Sequence, residues 1–198
     1  MNFKLWLENL TSIDSRMPRD KWNLIVNQAI RDLDLDWPMP TNQLGSGFHA
    51  NVYNTTDPTK VLRISKDMHN DCEKAIAKDQ MQMTGGVNKI YDMVDYNDYS
   101  ISLKEKLNTN WLHKLKNKYG ENQEIKDILS SIASSNFMGD ENVFDNLKFY
   151  DSLRNIPELK NLWHAILIGK TISSFDTGDI NLGNLAIDKN DNLVIIDC

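Results

Sequence analysis

Residues 44–53 have the sequence LGSGFHANVY, a glycine-rich turn followed by a run that favours a β-strand. Apart from Ala50 in the third small position, this stretch matches the glycine-loop pattern G-x-G-x-x-G-x-V. Further strand-like runs bounded by turn residues follow it, at 60–64, 88–94 and 99–103. Residues 41–107 are therefore predicted to form a small lobe of mixed α+β structure.

Helical periodicity flanks this lobe on both sides. Before it, apolar residues recur at helical spacing from Trp22 onward until a proline-rich segment interrupts them, which predicts a helical extension over residues 1–40. After it, residues 108–198 are predicted to be mostly helical. The most apolar helix, at about 157–173, is expected at the centre of this second half.

Two short strand-like runs, 185–187 and 193–196, flank a polar turn and predict a β-hairpin. Asn184 and Asp197 stand at its two open ends, so antiparallel pairing should bring them to one edge. Asp179 lies in the loop beside that edge and has the spacing D-x-x-x-x-N with Asn184. Because amide and carboxylate oxygens are hard ligands, Asn184 and Asp197 are predicted to bind Mg²⁺.

The glycine-rich turn has the composition of a phosphate-binding loop. Gly45 and Gly47 lack a Cβ, so their backbone N–H groups can approach phosphate oxygens closely. Ser46 and Val52 complete the loop pattern and are included in the predicted nucleotide site. Two simpler alternatives stay open, since G-x-G also occurs in ordinary hairpin turns and Ser46 is either a small turn residue or a site of self-phosphorylation.

The order of the remaining polar residues predicts phosphoryl transfer from ATP. Arg63, in the strand after the glycine loop, is the expected cation for the α and β phosphates. Glu73, on the polar helical stretch at about 70–83, is its expected ion-pair partner, although a solvated glutamate is as good an explanation. Asp179 would accept the proton of the attacking hydroxyl group. Catalysis would then depend on positioning and on neutralising the phosphates with Mg²⁺.

Composition excludes several other classes of protein. The 198 residues, 40% of them apolar, suffice for one sizeable core, and 22 basic against 28 acidic side chains give a formal charge of −6. This balance argues against nucleic acid or a membrane surface as the partner. Cys72 and Cys198 show no zinc-ligand spacing and suit a reducing compartment, and no stretch has the length of a membrane span, so the cytoplasm is expected.

From residue 44 onward the chain resembles the protein-kinase-like superfamily. Residues 177–185, TGDINLGNL, are similar to the H-G-D-L-H-x-G-N catalytic loop of atypical and small-molecule kinases. Three segments, 44–50, 60–63 and 174–184, are similar to the early serine/threonine protein kinases of short-tailed lytic phages. The resemblance implies a two-lobed fold with a small β-rich N-lobe and a helical C-lobe. It also implies an ATP- and Mg²⁺-dependent kinase that modifies serine or threonine of host proteins in the host cytoplasm.

Three departures from the kinase pattern leave two other functions open. Arg63 stands where most kinases have lysine, and Thr177-Gly178 replaces the usual His-Arg. Cys198 follows Asp197 directly, so a truncated C-lobe is expected, without the usual platform for a peptide substrate. The helical extension or the insert at 107–150 would have to replace that platform. The first alternative is a nucleotide-binding pseudokinase that inhibits a partner by binding it, and the second is a small-molecule phosphotransferase.

Overall fold

The computed structural model describes residues 21–46, 50–66, 74, 84–134, 156–169 and 182–196. Within these ranges the chain has a five-stranded antiparallel sheet, a two-stranded hairpin and four α-helices with defined ends, which confirms the predicted α+β class. The helices are α1 (Trp22–Asp32), α2 (Trp111–Lys118), α3 (Gln123–Ser134) and α4 (Lys160–Gly169). The strands are β1 (Pro40–Ser46), β2 (Ala50–Thr55), β3 (Lys60–Lys66), β4 (Ile90–Tyr96), β5 (Tyr99–Glu105), β6 (Leu185–Ile187) and β7 (Leu193–Ile195).

The strands of the large sheet lie in the order β1-β2-β3-β5-β4, with every neighbouring pair antiparallel. A tight turn joins β4 to β5, and in it Asn97 has a φ of 54°, which asparagine tolerates better than most residues. The runs predicted at 60–64, 88–94 and 99–103 correspond to β3, β4 and β5. Each strand extends two residues further than predicted, and β4 begins two residues later.

One face of the sheet is apolar and is covered by α1. This helix buries residues spaced three and four apart, as an amphipathic helix does when it packs on a sheet. Its buried residues form one hydrophobic cluster with sheet residues that point to the same side, among them Tyr53, Leu62, Ile64, Ile101 and Leu103. The described part of residues 1–40 therefore shares its core with the sheet.

A second hydrophobic cluster lies among α2, α3, α4 and the hairpin. The helix predicted at the centre of this half is α4, preceded by a 3-10 turn at Pro157–Leu159. It is buried on one side only, because His164 and Leu167 are exposed. The fully buried members of the cluster include Trp111, Leu129, Leu162, Ile166 and Leu185.

The backbone at Gly86 passes very close to α4. A Cβ built on Gly86 would lie 2.0 Å from the carbonyl oxygen of Asn161 and 2.8 Å from the Cβ of Ala165. Both distances are far inside van der Waals contact, so only glycine fits here. This contact sets how closely α4 approaches the segment that leads into β4.

A buried carboxylate connects α2 to the start of α4. Glu158, in the 3-10 turn, is 5% exposed and accepts hydrogen bonds from the Lys118 ammonium and the Tyr119 hydroxyl. Burial by itself raises the pKa of Glu158, but the two donors outweigh it and the pKa lies below its ordinary value. Glu158 is therefore ionised at neutral pH and holds the two helices together.

The predicted hairpin is confirmed by the antiparallel pairing of β6 with β7. Its turn is fastened by the Asp188 carboxylate, which accepts two backbone N–H groups of the turn at 2.8 Å each. Backbone hydrogen bonds also attach both strands to the rest of the protein. The N–H of Asn88 donates to the carbonyl of Ile195 at 2.7 Å, and Asn108 exchanges two hydrogen bonds with Ile187.

Other predicted elements lie wholly or mostly outside the described residues. They are the start of the helical extension, the helical run at 143–153 and the polar helix at about 70–83. Of this last helix only Lys74 is described, and it is helical. None of the described helices is long and apolar enough to cross a membrane.

Candidate functional site

The face of the large sheet opposite α1 is polar, yet it is buried. Its side chains on β3 and β5 expose 6% of their surface or less: Arg63, Ser65, Ser100, Ser102 and Lys104. They alternate along their strands with the apolar residues that face α1, as the two-residue period of a strand requires. Buried polar side chains of this kind are unusual and point to a binding site.

Gly45, Val52, Arg63 and Ser102 form a row across four neighbouring strands, each directly opposite the next. Directly opposed residues share a face of the sheet, so Val52 and Arg63 lie on the polar face. Neighbouring strands are about 4.8 Å apart, which places the backbones of Gly45 and Arg63 about 10 Å from each other. The structure thus brings together three residues predicted for nucleotide binding.

Gly45 and Ser46 are the last residues of β1, and both are exposed. A Cβ built on Gly45 meets no atom of the described residues within 4 Å, and Gly45 does not have a left-handed φ. Neither packing nor backbone conformation therefore requires glycine at this position. The open space lies on the face that carries Arg63, where a phosphate would approach. Gly47 lies outside the described residues.

Arg63 places a permanent positive charge on the polar face, because a guanidinium does not lose its proton in proteins. One of its terminal nitrogens donates to the Ser65 hydroxyl at 3.2 Å. Glu73, its predicted partner, lies outside the described residues. The next residue in the chain, Lys74, forms an ion pair of 3.0 Å with Asp95 on β4.

The open end of the hairpin is held by one further backbone pair. The N–H of Ile196 donates to the carbonyl of Asn184 at 2.9 Å, so these two residues lie opposite each other. Asp197 is the next residue after Ile196. Asp197 and Asp179 themselves lie outside the described residues, and the positions of their side chains stay predictions.

Lys104 is a candidate that was not predicted from the sequence. Its ammonium donates to the carbonyl of Ile196 at 3.0 Å, which joins the polar face of the sheet to the end of the hairpin. The available signal was the alternation of Ser100, Ser102 and Lys104 with apolar residues. That pattern is also typical of a strand with one face in solvent, so it does not by itself indicate a buried site.

The donor set at the hairpin end fits a magnesium ion bound to phosphates. Mg²⁺ usually keeps few protein ligands and completes its coordination with phosphate oxygens and water. Asn184 is the only predicted ligand within the described ranges, and no group of three or more His, Cys, Asp or Glu within them could hold a metal ion. The amide of Asn184 is the one predicted ligand that the described residues place near the face carrying Arg63 and Lys104.

No protein-family model matches the chain, and no curated protein matches it.

Proposed function

We propose that this protein is an ATP- and Mg²⁺-dependent kinase that phosphorylates serine or threonine of proteins. The observation that carries the proposal is the row of Gly45, Val52 and Arg63 on the polar face of the sheet, which runs from an exposed edge at Gly45 to the buried cation Arg63. The hairpin end with Asn184 is tied to the same face through Ile196. Residues predicted for the phosphates and for the metal thus belong to one connected region.

Each residue has a role in this proposal. Backbone N–H groups of the glycine loop and the Arg63 guanidinium would bind the phosphates of ATP. Asn184 and Asp197 would hold Mg²⁺, which when bound neutralises charge on the phosphates. Asp179 would orient the substrate hydroxyl and accept its proton. These groups position reactants and stabilise charge, which is what phosphoryl transfer requires of a protein.

The fold and the biological setting are part of the proposal. The two separate hydrophobic clusters support a two-lobed, kinase-like arrangement, with the sheet and α1 in one lobe and α2, α3, α4 and the hairpin in the other. The similarity of residues 44–50, 60–63 and 174–184 to early phage kinases supports a phage-encoded enzyme. Its substrates would be proteins of the host cytoplasm.

A second candidate is a nucleotide-binding pseudokinase that inhibits a partner by binding it. The observation that favours it is the state of Arg63, which is 6% exposed and donates to Ser65 within its own strand. A guanidinium is larger than an ammonium and spreads its charge over a planar fork. It can bind phosphate oxygens without placing a point charge where a lysine would.

Transfer of labelled γ-phosphate from ATP separates the two candidates. The protein is incubated with Mg²⁺ and host-cell lysate, and wild type is compared with Asp179→Asn and Asp197→Asn. Asp191→Asn is a matched control, because Asp191 is a carboxylate in the turn of the same hairpin, paired with Lys114, and asparagine tolerates its φ of 66°.

A kinase transfers label in the wild type and in Asp191→Asn but not in the two other variants. If ATP raises the melting temperature of the wild type and no label is transferred, the pseudokinase replaces the kinase. If ATP has no effect on the melting temperature and no label is transferred, both candidates are wrong.

A further inference from the structure

Lys104 is an unexpected residue at its position in the sheet. It is the next-to-last residue of β5 and is 5% exposed, and its direct neighbours across the sheet are the apolar residues Val61 and Ile90. Burying an ammonium is costly unless it is well paired. An apolar side chain would satisfy these neighbours, so strand pairing does not explain the lysine.

The contact made by Lys104 spans the molecule. Its ammonium donates at 3.0 Å to the carbonyl of Ile196, a residue 92 positions later in the chain. The N–H of Ile196 in turn donates to the carbonyl of Asn184 at 2.9 Å. Two consecutive hydrogen bonds therefore connect β5 with both strands of the hairpin at its open end.

Lys104 and Arg63 lie on the same face of the sheet. Ser102 is the residue directly opposite Arg63, so Lys104 is the diagonal neighbour of Arg63, at a distance of about 7–8 Å. Arg63 contacts Ser65 within the sheet, whereas Lys104 reaches out of the sheet to the hairpin. The second contact adds a side-chain link at the hairpin end to the backbone hydrogen bonds that Asn88 and Asn108 make with the hairpin.

We propose that Lys104 is a positioning residue, which holds the hairpin end with Asn184 at a fixed distance from the cation Arg63. The proposal rests on the proposed function, because Arg63 would bind the phosphates and the hairpin end would bind Mg²⁺. In this proposal Lys104 acts through the carbonyl of Ile196. It sets the separation of the two groups that must bind Mg²⁺ and ATP together.

The test compares Lys104→Met with Lys106→Met. Methionine keeps an unbranched apolar side chain and removes the ammonium. Lys106 is a matched control on the same chain segment, exposed, with its ammonium on the side-chain oxygen of Asn54. The first readout is hydrogen exchange of the backbone at 193–196, which should become faster in Lys104→Met and stay unchanged in Lys106→Met.

The second readout is the Mg²⁺ concentration that gives half of the maximal thermal stabilisation by ATP. Loss of a charge-assisted hydrogen bond should raise this concentration about tenfold in Lys104→Met and leave it unchanged in Lys106→Met. When EDTA removes Mg²⁺, thermal stabilisation by ATP should be the same in Lys104→Met as in the wild type, since Arg63 and the glycine loop are unchanged in this variant. Lys104→Arg, which keeps a cationic donor, should restore the wild-type concentration. Lys104→Gln, which removes the charge and keeps a polar side chain, should raise the concentration like Lys104→Met and serves as the test if the methionine variant does not fold.

The outcomes distinguish the two proposals. If Mg²⁺ and ATP stabilise wild type and Lys104→Met with the same midpoint, Lys104 has no positioning role, while the proposed function stands. Equal loss of ATP stabilisation with and without Mg²⁺ also overturns the positioning role, because it shows a general disturbance of the nucleotide site. If ATP does not stabilise the wild type at all, the proposed function fails, and the positioning role fails with it.

Discussion

Gly45→Ala and Gly86→Ala form a pair of substitutions that separates a glycine kept for a ligand from a glycine kept for the fold. Both add one methyl group. At Gly45 the new Cβ meets no atom within 4 Å among the residues that the structure describes, and at Gly86 it lies 2.0 Å from the carbonyl oxygen of Asn161. The first should therefore leave the fold intact and the second should disturb it.

The expected magnitudes follow from these distances. Alanine at position 45 reduces the freedom of the unfolded chain and should stabilise the protein by about 0.4–1 kcal/mol. Alanine at position 86 must displace the backbone of α4, so it should lower the free energy of unfolding of the protein by about 3 kcal/mol or more. For ATP binding we expect the larger direct effect from Gly45→Ala, because its methyl group lies on the face that carries Arg63, where a phosphate would approach. Loss of one hydrogen bond to a charged phosphate weakens binding about tenfold.

Urea denaturation followed by tryptophan fluorescence measures stability, and titration with ATP measures binding. If Gly45→Ala lowers the free energy of unfolding by more than about 1 kcal/mol, the fold needs this glycine, since a small increase in stability is expected. Unchanged ATP affinity in a stable Gly45→Ala variant would refute the assignment of the turn to phosphate binding. Gly86→Ala shows that the denaturation assay detects a steric clash of one methyl group.

Two further predictions concern buried charged groups. Arg63→Met should weaken ATP binding about tenfold or more, whereas Arg31→Met, at an exposed arginine of α1, should leave it unchanged. If the two variants bind ATP with equal affinity in a titration, Arg63 is not part of the nucleotide site. Glu158→Gln should lower the free energy of unfolding by about 1.5–3 kcal/mol at pH 7, because the carboxylate accepts from Lys118 and Tyr119. Since the folded pKa of Glu158 is lowered, its contribution is complete above the unfolded value of about 4.3 and disappears as the pH falls through the folded pKa. The difference between Glu158→Gln and wild type should therefore shrink below about pH 4 in urea denaturation, and a constant difference would contradict this.

Local sequence signals were sufficient for several elements. The hairpin was predictable because the runs at 185–187 and 193–196 are apolar and the turn between them contains Asp188, whose carboxylate fastens it. Strands β3 and β5 were predictable from their β-branched and apolar content. Their ends were less certain, because Lys66 and Glu105 are polar residues that pair only through the neighbouring strand.

The parts that could not be predicted depend on contacts between distant residues. The insertion of β5 between β3 and β4 places Ser102 beside Arg63, and no local pattern indicates this order. The role of Gly86 depends on Asn161, which is 75 positions later in the chain. Alternation along β5 is equally typical of a strand with one solvated face, so the burial of Ser102 and Lys104, which comes from tertiary packing, could not be predicted from it.

An arginine at position 63, where the kinase resemblance would predict a lysine, does not by itself decide between the proposed kinase and a binding protein. A cation in such a site has two tasks, to neutralise the phosphates and to keep them in line with the metal ligands. Arg63 can perform the first from within the sheet, where it also contacts Ser65. The link between sheet and hairpin is made instead by Lys104, through the carbonyl of Ile196. If the two tasks are divided in this way, Arg63→Met should weaken ATP binding both with and without Mg²⁺. Lys104→Met should weaken ATP binding only when Mg²⁺ is present. Identical effects of the two substitutions on ATP binding would refute the division.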